Sequence, residues 1–461
     1  MPKEGTGLKG SCTRMARART QSRITLPTNL LRVNATAQRA AHTRFTALLH
    51  HVDLTALARA FRRQKRQASA GVDGVTVTAY EQDLANNLQD LHARIHTGRY
   101  RPSPVRRVNI PKPDGGQRPL GVPTLEDKIV QGAVAEVLSA IYEADFLGFS
   151  YGFRPGRSPH MALDALHTAI MSQRVNRVLD ADIRSFFDSV DHEQLLRMLA
   201  HRIADPRMLR LIKLWLQAGV LESGAWRETD RGTPQGAGIS PLLANIFLHY
   251  ALDLWVHQWR RRHASGRVVI VRYADDFVMG FENERDAETM LSALMERLTK
   301  FGLTLHEEKT RLIEFGRLPA MRRRQRGERR PETFAFLGFT HYCGWTRDGR
   351  FIVKHKTQSK RLTRKLKALR EEARRLMHTP LATQHRWYAS VLRGHYGYYG
   401  RPHNFPALSG FLQQVRHIWL CCLRRRSQKS RRMSWEDFET LTKRFPLPQP
   451  RITRPWTPRA A

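Results

Sequence analysis

Acid is scarce in this sequence. Against 78 lysines and arginines stand 41 aspartates and glutamates, a formal net charge of +37 over 461 residues. A compact fold carrying that field repels itself unless a polyanion neutralises it, so nucleic acid is the expected partner. A purely structural nucleic-acid binder has the same balance, and charge alone does not separate it from an enzyme. Cysteine is scarcer still, with Cys12, Cys343, Cys421 and Cys422 only. They show no metal-ligand spacing, and four thiols do not staple a chain of this size. A zinc module and a disulfide scaffold therefore both drop out, and a reducing cytosol is expected. Long apolar runs are missing, so no membrane partner is expected. The length itself predicts two to four domains.

What acid there is gathers in two strand-like stretches. Residues 268–280, Val-Val-Ile-Val-Arg-Tyr-Ala-Asp-Asp-Phe-Val-Met-Gly, read as strand, tight turn and strand around Asp275 and Asp276. Adjacent carboxylates among apolar residues repel and lose hydration, a cost that a hard divalent cation relieves. An Asx-rich hairpin turn is the other reading of the same pair. Upstream, residues 177–183 form a second acidic strand. Alternation puts Asp180 and Asp182 on one face, Leu179 and Ala181 on the other. If the two strands pair, Asp182 and Asp275 can share two metal ions about 3.5–4 Å apart, the arrangement of nucleotidyl transfer.

Four blocks occur in order: Arg118-Pro-Leu-Gly-Val-Pro123, Asp182-Ile-Arg-Ser-Phe-Phe-Asp188, Gly232-Thr-Pro-Gln-Gly236 and Tyr273-Ala-Asp-Asp276. Together they resemble the reverse transcriptase of a group II intron-encoded protein, or maturase, over residues 71–399. The resemblance implies an α+β right-hand polymerase of fingers, palm and thumb, with an antiparallel palm sheet and a helical thumb/maturase domain. It implies a basic leader over 1–44, an N-terminal extension over 45–107, fingers and palm over 108–345, thumb and maturase region over 346–423, and a basic DNA-binding-like tail over 424–461. Asp182, Asp275 and Asp276 become the catalytic set. Asp182, Asp275 and the backbone carbonyl of Ile183 become the ligands of two Mg²⁺ ions. Lys112, Arg118, Phe187, Gln235 and Lys309 become the nucleotide contacts. Phe187, five residues after Asp182, takes the place of the aromatic that excludes a ribose 2′-hydroxyl, a core phenylalanine being the other reading of the same residue. The implied partners are intron RNA, an RNA template, a DNA primer or target DNA, and deoxynucleoside triphosphates, in a bacterial cytosol or nucleoid. The implied activity is RNA-directed DNA polymerisation coupled to splicing and to mobility by target-primed reverse transcription. Ala237-Gly238 departs from the Gly-Val expected after the family's Gln-Gly, leaving Gln235 intact. No paired-cysteine, His-Asn-His-like block is present, so the family's DNA endonuclease is expected to be absent. A non-catalytic RNA chaperone and a defence- or CRISPR-type reverse transcriptase are the competing functions.

The remaining stretches read more plainly. Residues 14–19 pass either for a transit peptide or for a basic leader touching RNA. Helices are predicted over 45–61, over most of 75–97 with Leu84, Leu88 and Leu91 on one face, and from Thr124 with Leu125, Ile129, Ala133, Val137 and Ile141 as its buried stripe. Pro-Asp-Gly-Gly at 113–116 marks a hairpin, whose Lys112 and Arg118 are either solvated cations or a clamp on one anion. The loop 151–158 either clamps nucleic acid with its aromatics and arginines or packs. Asp191 suits an N-cap, with Gln194 at N3 and Val190 and Leu195 as staple. Ser240 and Pro241 suit the start of a buried helix reaching Trp255. Helices are also predicted over 286–299 and 360–377. The run 322–330 reads as a flexible basic insertion that solvates itself or tracks phosphates. Arg322, Arg323, Arg324, Arg361, Arg364, Lys365, Arg393, Tyr396 and Tyr398 are the candidate RNA contacts, and Ser434 a candidate cap for a last helix.

Overall fold

The structure, a computed structural model, describes residues 27–111, 116–222, 225–227, 231–232 and 238–455. Helices and short strands alternate along it. The strands are β1 (Val105–Pro111), β2 (Gln117–Val122), β3 (Arg177–Asp182), β4 (Val220–Glu222), β5 (Ala225–Arg227), β6 (Val268–Tyr273), β7 (Asp276–Phe281), β8 (Arg311–Glu314), β9 (Phe334–Phe336), β10 (Phe339–Trp345) and β11 (Phe351–Thr357). They form three sheets, ordered β2–β1–β4–β5, β6–β7–β3–β8 and β11–β10–β9. The chain divides into two compact units. One comprises Met1–Ala165, Ala181–Met279 and Asn283–Arg311, the other Leu166–Asp180, Gly280–Glu282 and Leu312–Ala461.

The first unit is built on the helix Leu125–Asp145. Thr124 caps it, accepting from the Asp127 amide, while the Asp127 carboxylate accepts from the Tyr100 hydroxyl at 2.5 Å and the Thr124 hydroxyl at 2.7 Å. The expected stripe of Leu125, Ile129, Ala133, Val137 and Ile141 is buried, and so are Val130, Val134, Leu138 and Tyr142 on the other sides. Helices Thr28–Arg39 and Leu54–Arg62 pack on it, which explains the all-round burial. The helix expected over 45–61 begins later. Asp53 accepts from the Ala56 amide at 2.7 Å and fixes the N-terminus there, while Phe45 pairs with Ile203 instead. The stretch 75–97 is two helices, Val77–Glu81 and Leu84–His96, broken around Gln82 and Asp83. β1 and β2 pair antiparallel as the hairpin expected, while β1 and β4 run parallel.

The buried helix expected to run to Trp255 is interrupted. Ser240–Leu248 and Leu254–Arg262 are α-helical, and His249–Asp253 between them is a π-helical turn. Ser240 does not cap: it lies inside the first helix, buried, and Ile239 holds the cap position without a side-chain bond. Asp191 does cap, accepting from the Gln194 amide at 2.8 Å, with Val190 and Leu195 buried beside it.

In the second unit, helices Ser359–Arg375, Leu381–Tyr399 and Phe405–Arg424 enclose a core of Leu369, Tyr388, Leu392, Phe411 and Trp419. Ser434 opens the helix Trp435–Arg444 through a capping box, and its Phe438 joins the same core. The stretch 424–455 is therefore packed into this unit rather than standing apart as a tail. Asn404 ties helix to hairpin: it accepts from the Thr357 amide at 2.8 Å and donates to the Tyr399 carbonyl at 2.8 Å. A division after residue 345 would separate β10 from β11, which pair in register from Phe339↔Thr357 to Trp345↔Phe351. The basic insertion is partly helical. The run 322–330 starts in the last turn of the helix Arg317–Gln325, anchored by Arg323 donating to Glu314 at 2.7 and 2.9 Å, and leaves it at Arg326.

Candidate active site

Asp182 ends β3 and Asp276 begins β7, and these strands are neighbours in one sheet. Asn176, just ahead of β3, donates its amide to the carbonyl of Phe281, the last residue of β7, at 2.8 Å. Neighbouring strands that meet start to end run antiparallel, so the acidic end of β3 lies toward the Ala274–Asp275 turn. All three aspartates are half-buried. The Asp182 backbone is fixed by the chain segment 304–306: Arg184 donates to the Thr304 carbonyl at 2.9 Å, and His306 to the Asp182 carbonyl at 2.8 Å. These two bonds flank the pair Ile183↔Leu305, which leaves the Ile183 carbonyl turned away from that segment. The same turn delivers Lys309, whose ammonium donates to Asp182 Oδ2 at 2.9 Å.

The turn that carries Asp275 is strained and braced. Ala274 has φ +59°, a left-handed conformation that favours glycine and costs an alanine about 1–2 kcal/mol. Arg272, wholly buried, donates to the Ala274 carbonyl at 2.8 Å, to Asn245 Oδ1 at 3.0 Å, to the Ser150 hydroxyl at 2.8 Å and to Asp253 at 2.5 and 2.7 Å. Asp253 closes the π-helical turn and is itself wholly buried, so the extra residue of that turn coincides with the carboxylate that meets Arg272. The loop 149–152 runs beside β6, with Tyr151 donating to the Arg272 carbonyl at 2.8 Å. At Gly152 an added Cβ would stand 2.2 Å from the Ala274 nitrogen, so only glycine fits. Arg154 is buried, donating to Glu143 at 2.9 Å and to the carbonyls of Leu147 and Ser150 at 2.9 and 2.8 Å. Of the two readings of this loop, packing holds at Arg154. Arg272, Asp253, Asn245, Ser150 and Gly152 were missed as site residues. The signal for the first was an arginine inside an otherwise apolar strand, which demands a buried carboxylate.

Phe187 is half-buried in the short helix Phe186–Ser189, its ring edge-on to the buried Phe186 at 5.4 Å. Gly232 packs against this turn, its amide donating to the Val190 carbonyl at 2.8 Å and its carbonyl accepting from His192 Nε2 at 2.7 Å. The loop containing Gln235 therefore starts beside Phe187. Gln235 itself, Lys112, Cys12 and the leader up to residue 26 lie outside the described residues, as does the side chain of Arg118, whose backbone pairs with Ile110.

Among the candidate RNA contacts, Arg322, Arg324, Arg361, Arg364, Lys365 and Arg393 are exposed. Arg323 is engaged by Glu314. Tyr396 departs from the expectation. It is 1 % exposed and its hydroxyl donates to the Pro448 carbonyl at 3.2 Å, so its ring fills the core and offers no face to a base. Tyr398 is half-buried, donates to the Leu337 carbonyl at 2.8 Å and lies over Phe339 at 6.0 Å.

The expected divalent cations find donors of the right chemistry here, hard carboxylate oxygens and a backbone carbonyl. Among the described residues, however, no three His, Cys, Asp or Glu side chains converge closely enough to hold an ion, and Lys309 engages Asp182. No described helix is long and apolar enough to cross a membrane.

Residues 110–341 match the family described as reverse transcriptase (RNA-dependent DNA polymerase), just over half of the chain. Protein YkfC of Escherichia coli K12 is 37% identical over 255 residues, covering 49% of this chain and 67% of that protein. Group II intron-encoded protein LtrA of Lactococcus lactis subsp. cremoris is 43% identical over 166 residues, covering 36% of this chain and 27% of LtrA. Nuclear intron maturase 3 of Arabidopsis thaliana is 30% identical over 131 residues, covering 28% of this chain and 18% of that protein.

Proposed function

We propose, on the premise that this chain belongs to the reverse transcriptase family and has group II intron-encoded proteins among its relatives, that it extends a DNA primer on an RNA template and, on its own intron RNA, assists splicing and mobility by target-primed reverse transcription. The observation that carries this reading is the meeting of the acidic ends of β3 and β7 on neighbouring strands, with Lys309 already on Asp182. Asp182, Asp275 and the Ile183 carbonyl would hold Mg²⁺ beside Asp276, and the metal when bound would supply Lewis-acid stabilisation of the attacking 3′-oxygen and of the leaving pyrophosphate. Lys309, whose side chain is 60% exposed, can leave Asp182 for a nucleotide phosphate. Phe187 closes the sugar site against a 2′-hydroxyl. Lys112, Arg118 and Gln235 hold the triphosphate and template base. The buried Arg272 keeps the Ala274–Asp275 turn in its left-handed form, so the carboxylates are placed before substrate arrives.

The test is primer extension with purified protein, Mg²⁺ and deoxynucleotides on an RNA template. Asp182→Ala and Asp275→Ala are expected to lose extension while RNA binding stays within about twofold. Extension by either variant at the wild-type rate would remove these carboxylates from the chemistry. Phe187→Val is expected to raise ribonucleotide incorporation relative to deoxynucleotide in single-turnover kinetics.

A further inference from the structure

A cavity of about 370 Å³ opens in the second unit, between the helix Arg317–Gln325, the turn that follows it and β10. That volume lies in the range that takes a small organic ligand. Its floor includes Cys343, buried, with the thiol against the Gly316 carbonyl at 3.8 Å. Burial pushes that thiol up to about 12, so the floor is uncharged. One wall is Trp345, half-buried at the end of β10 and held edge-on by the ring of its cross-strand partner Phe351 at 5.9 Å and 80°. The Arg324 guanidinium lies 4.7 Å over the indole. Of the other lining cations, Arg323 is spent on Glu314, while the exposed Arg330 has no ion pair or hydrogen bond among the described residues. Glu328 supplies one carboxylate, loosely paired with Arg326 at 3.4 Å and exposed.

Each feature narrows the occupant. A free phosphate or an acidic peptide would use Arg324 and Arg330 and leave the fixed indole idle. A duplex keeps its base faces stacked and cannot present one to Trp345. An unpaired nucleotide uses every part: the base stacks on an aromatic already topped by a guanidinium, an exocyclic amine donates to Glu328, and the phosphate meets Arg330. We propose that this cavity binds one unpaired nucleotide of a bound RNA, its base stacked against Trp345 and Arg324 and its phosphate on Arg330. The proposal rests on the reading of the chain as an RNA-handling polymerase and gives the basic helix 317–325 a defined ligand.

The experiment uses the full chain and two short RNA hairpins that differ only in one bulged nucleotide, an adenosine in one and an abasic ribose in the other. The wild type is expected to bind the adenosine form about tenfold more tightly, the scale of one base–aromatic stack. Trp345→Ala should erase that difference, Trp345→Phe should keep most of it, and Arg330→Gln should weaken both RNAs alike. Circular dichroism and thermal melting identify a Trp345→Ala protein that fails to fold. In that case Arg324→Gln, a surface change, carries the test and is expected to reduce the preference at least threefold. Equal binding of the two RNAs by the wild type, or an unchanged preference in folded Trp345→Ala, overturns the proposal. So does displacement of the adenosine RNA by an equal concentration of deca-glutamate, which would mark an acidic-peptide site. Primer extension by the same wild-type sample tests the polymerase separately. Its failure beside a clear base preference would sink the polymerase reading alone, and extension without any base preference would sink the cavity alone.

Discussion

Arg272 shows how much of the candidate site depends on one side chain out of reach of substrate. It is 0% exposed, and its charge is met by Asp253, also 0% exposed. Removing one partner of such a pair leaves an uncompensated buried charge, at a cost of about 3–5 kcal/mol, while replacing both by apolar groups is often tolerated. Arg272→Met is therefore expected to lose several kcal/mol in urea denaturation, and Arg272→Met with Asp253→Leu to recover much of that. Primer extension should stay low in the double variant, because nothing then holds the Ala274 carbonyl. A double variant with both stability and wild-type extension would confine Arg272 to the core. Gly152 gives a second test at this scale. The Cβ of Gly152→Ala would meet backbone, the Ala274 nitrogen at 2.2 Å, and cannot be relieved by a rotamer change. Its expected outcome is a folded protein whose kcat falls at least tenfold; an unchanged kcat would mean that the turn moves freely. The acidic residues themselves were legible because carboxylates in apolar strands are rare. The brace was not, since Asp253 lies 19 residues from Arg272 and only the fold joins them.

At the scale of elements, periodicity and capping residues located most helices. What failed was local: Asp53 moved a helix start, a π-helical turn replaced regular helix near Asp253, and the first residues of an arginine run joined a helix in which Glu314 neutralises Arg323. The hairpin β10–β11 carries a feature that no motif announced. His341 and His355 are direct cross-strand partners, both buried, with Arg401 donating to His355 Nε2 at 3.4 Å. Burial first, then the neighbouring His167 and Arg401, pushes His341 down to about 3. Burial, then His341, Arg401, His167 and His403, pushes His355 down to about 2. Both rings therefore stay neutral in the fold, while the unfolded chain protonates them near 6.5. The unfolded state binds more protons below that value, so their contribution is present above about pH 6.5 and is lost as pH falls toward 3. The slope is roughly 1.4 kcal/mol per pH unit for each histidine. Urea midpoints measured from pH 7.5 to 5 should fall accordingly. His341→Phe, which keeps the stack on Phe334 at 4.8 Å, should flatten the slope. An identical slope in that variant would assign the pH response elsewhere.

For the whole molecule the dominant quantity is the net charge of +37. Buried pairs such as Arg154–Glu143 and Arg272–Asp253 account for little of the excess, because each cancels its own partner. The surplus lies on exposed arginines and lysines, among them Arg361, Arg364 and Lys365 along the helix Ser359–Arg375. Composition made this legible from the start, although it did not reveal that Tyr396 is core and that residues 424–455 pack into the second unit. Cations held at a surface bind phosphates by releasing counterions, so the logarithm of affinity should fall linearly with the logarithm of salt. Each contacted phosphate of a single strand adds about 0.7 to that slope. Changing Arg361, Arg364 and Lys365 together to glutamine is expected to lower the slope by about 2 if all three contact phosphate, with the same loss for every RNA sequence. Because these side chains are exposed, thermal stability should move by less than about 1 kcal/mol. Filter binding of a structured RNA from 50 to 500 mM KCl gives the slopes. A slope unchanged by the triple substitution would take this helix out of the interface, and a flat salt dependence in the wild type would contradict an electrostatic interface altogether.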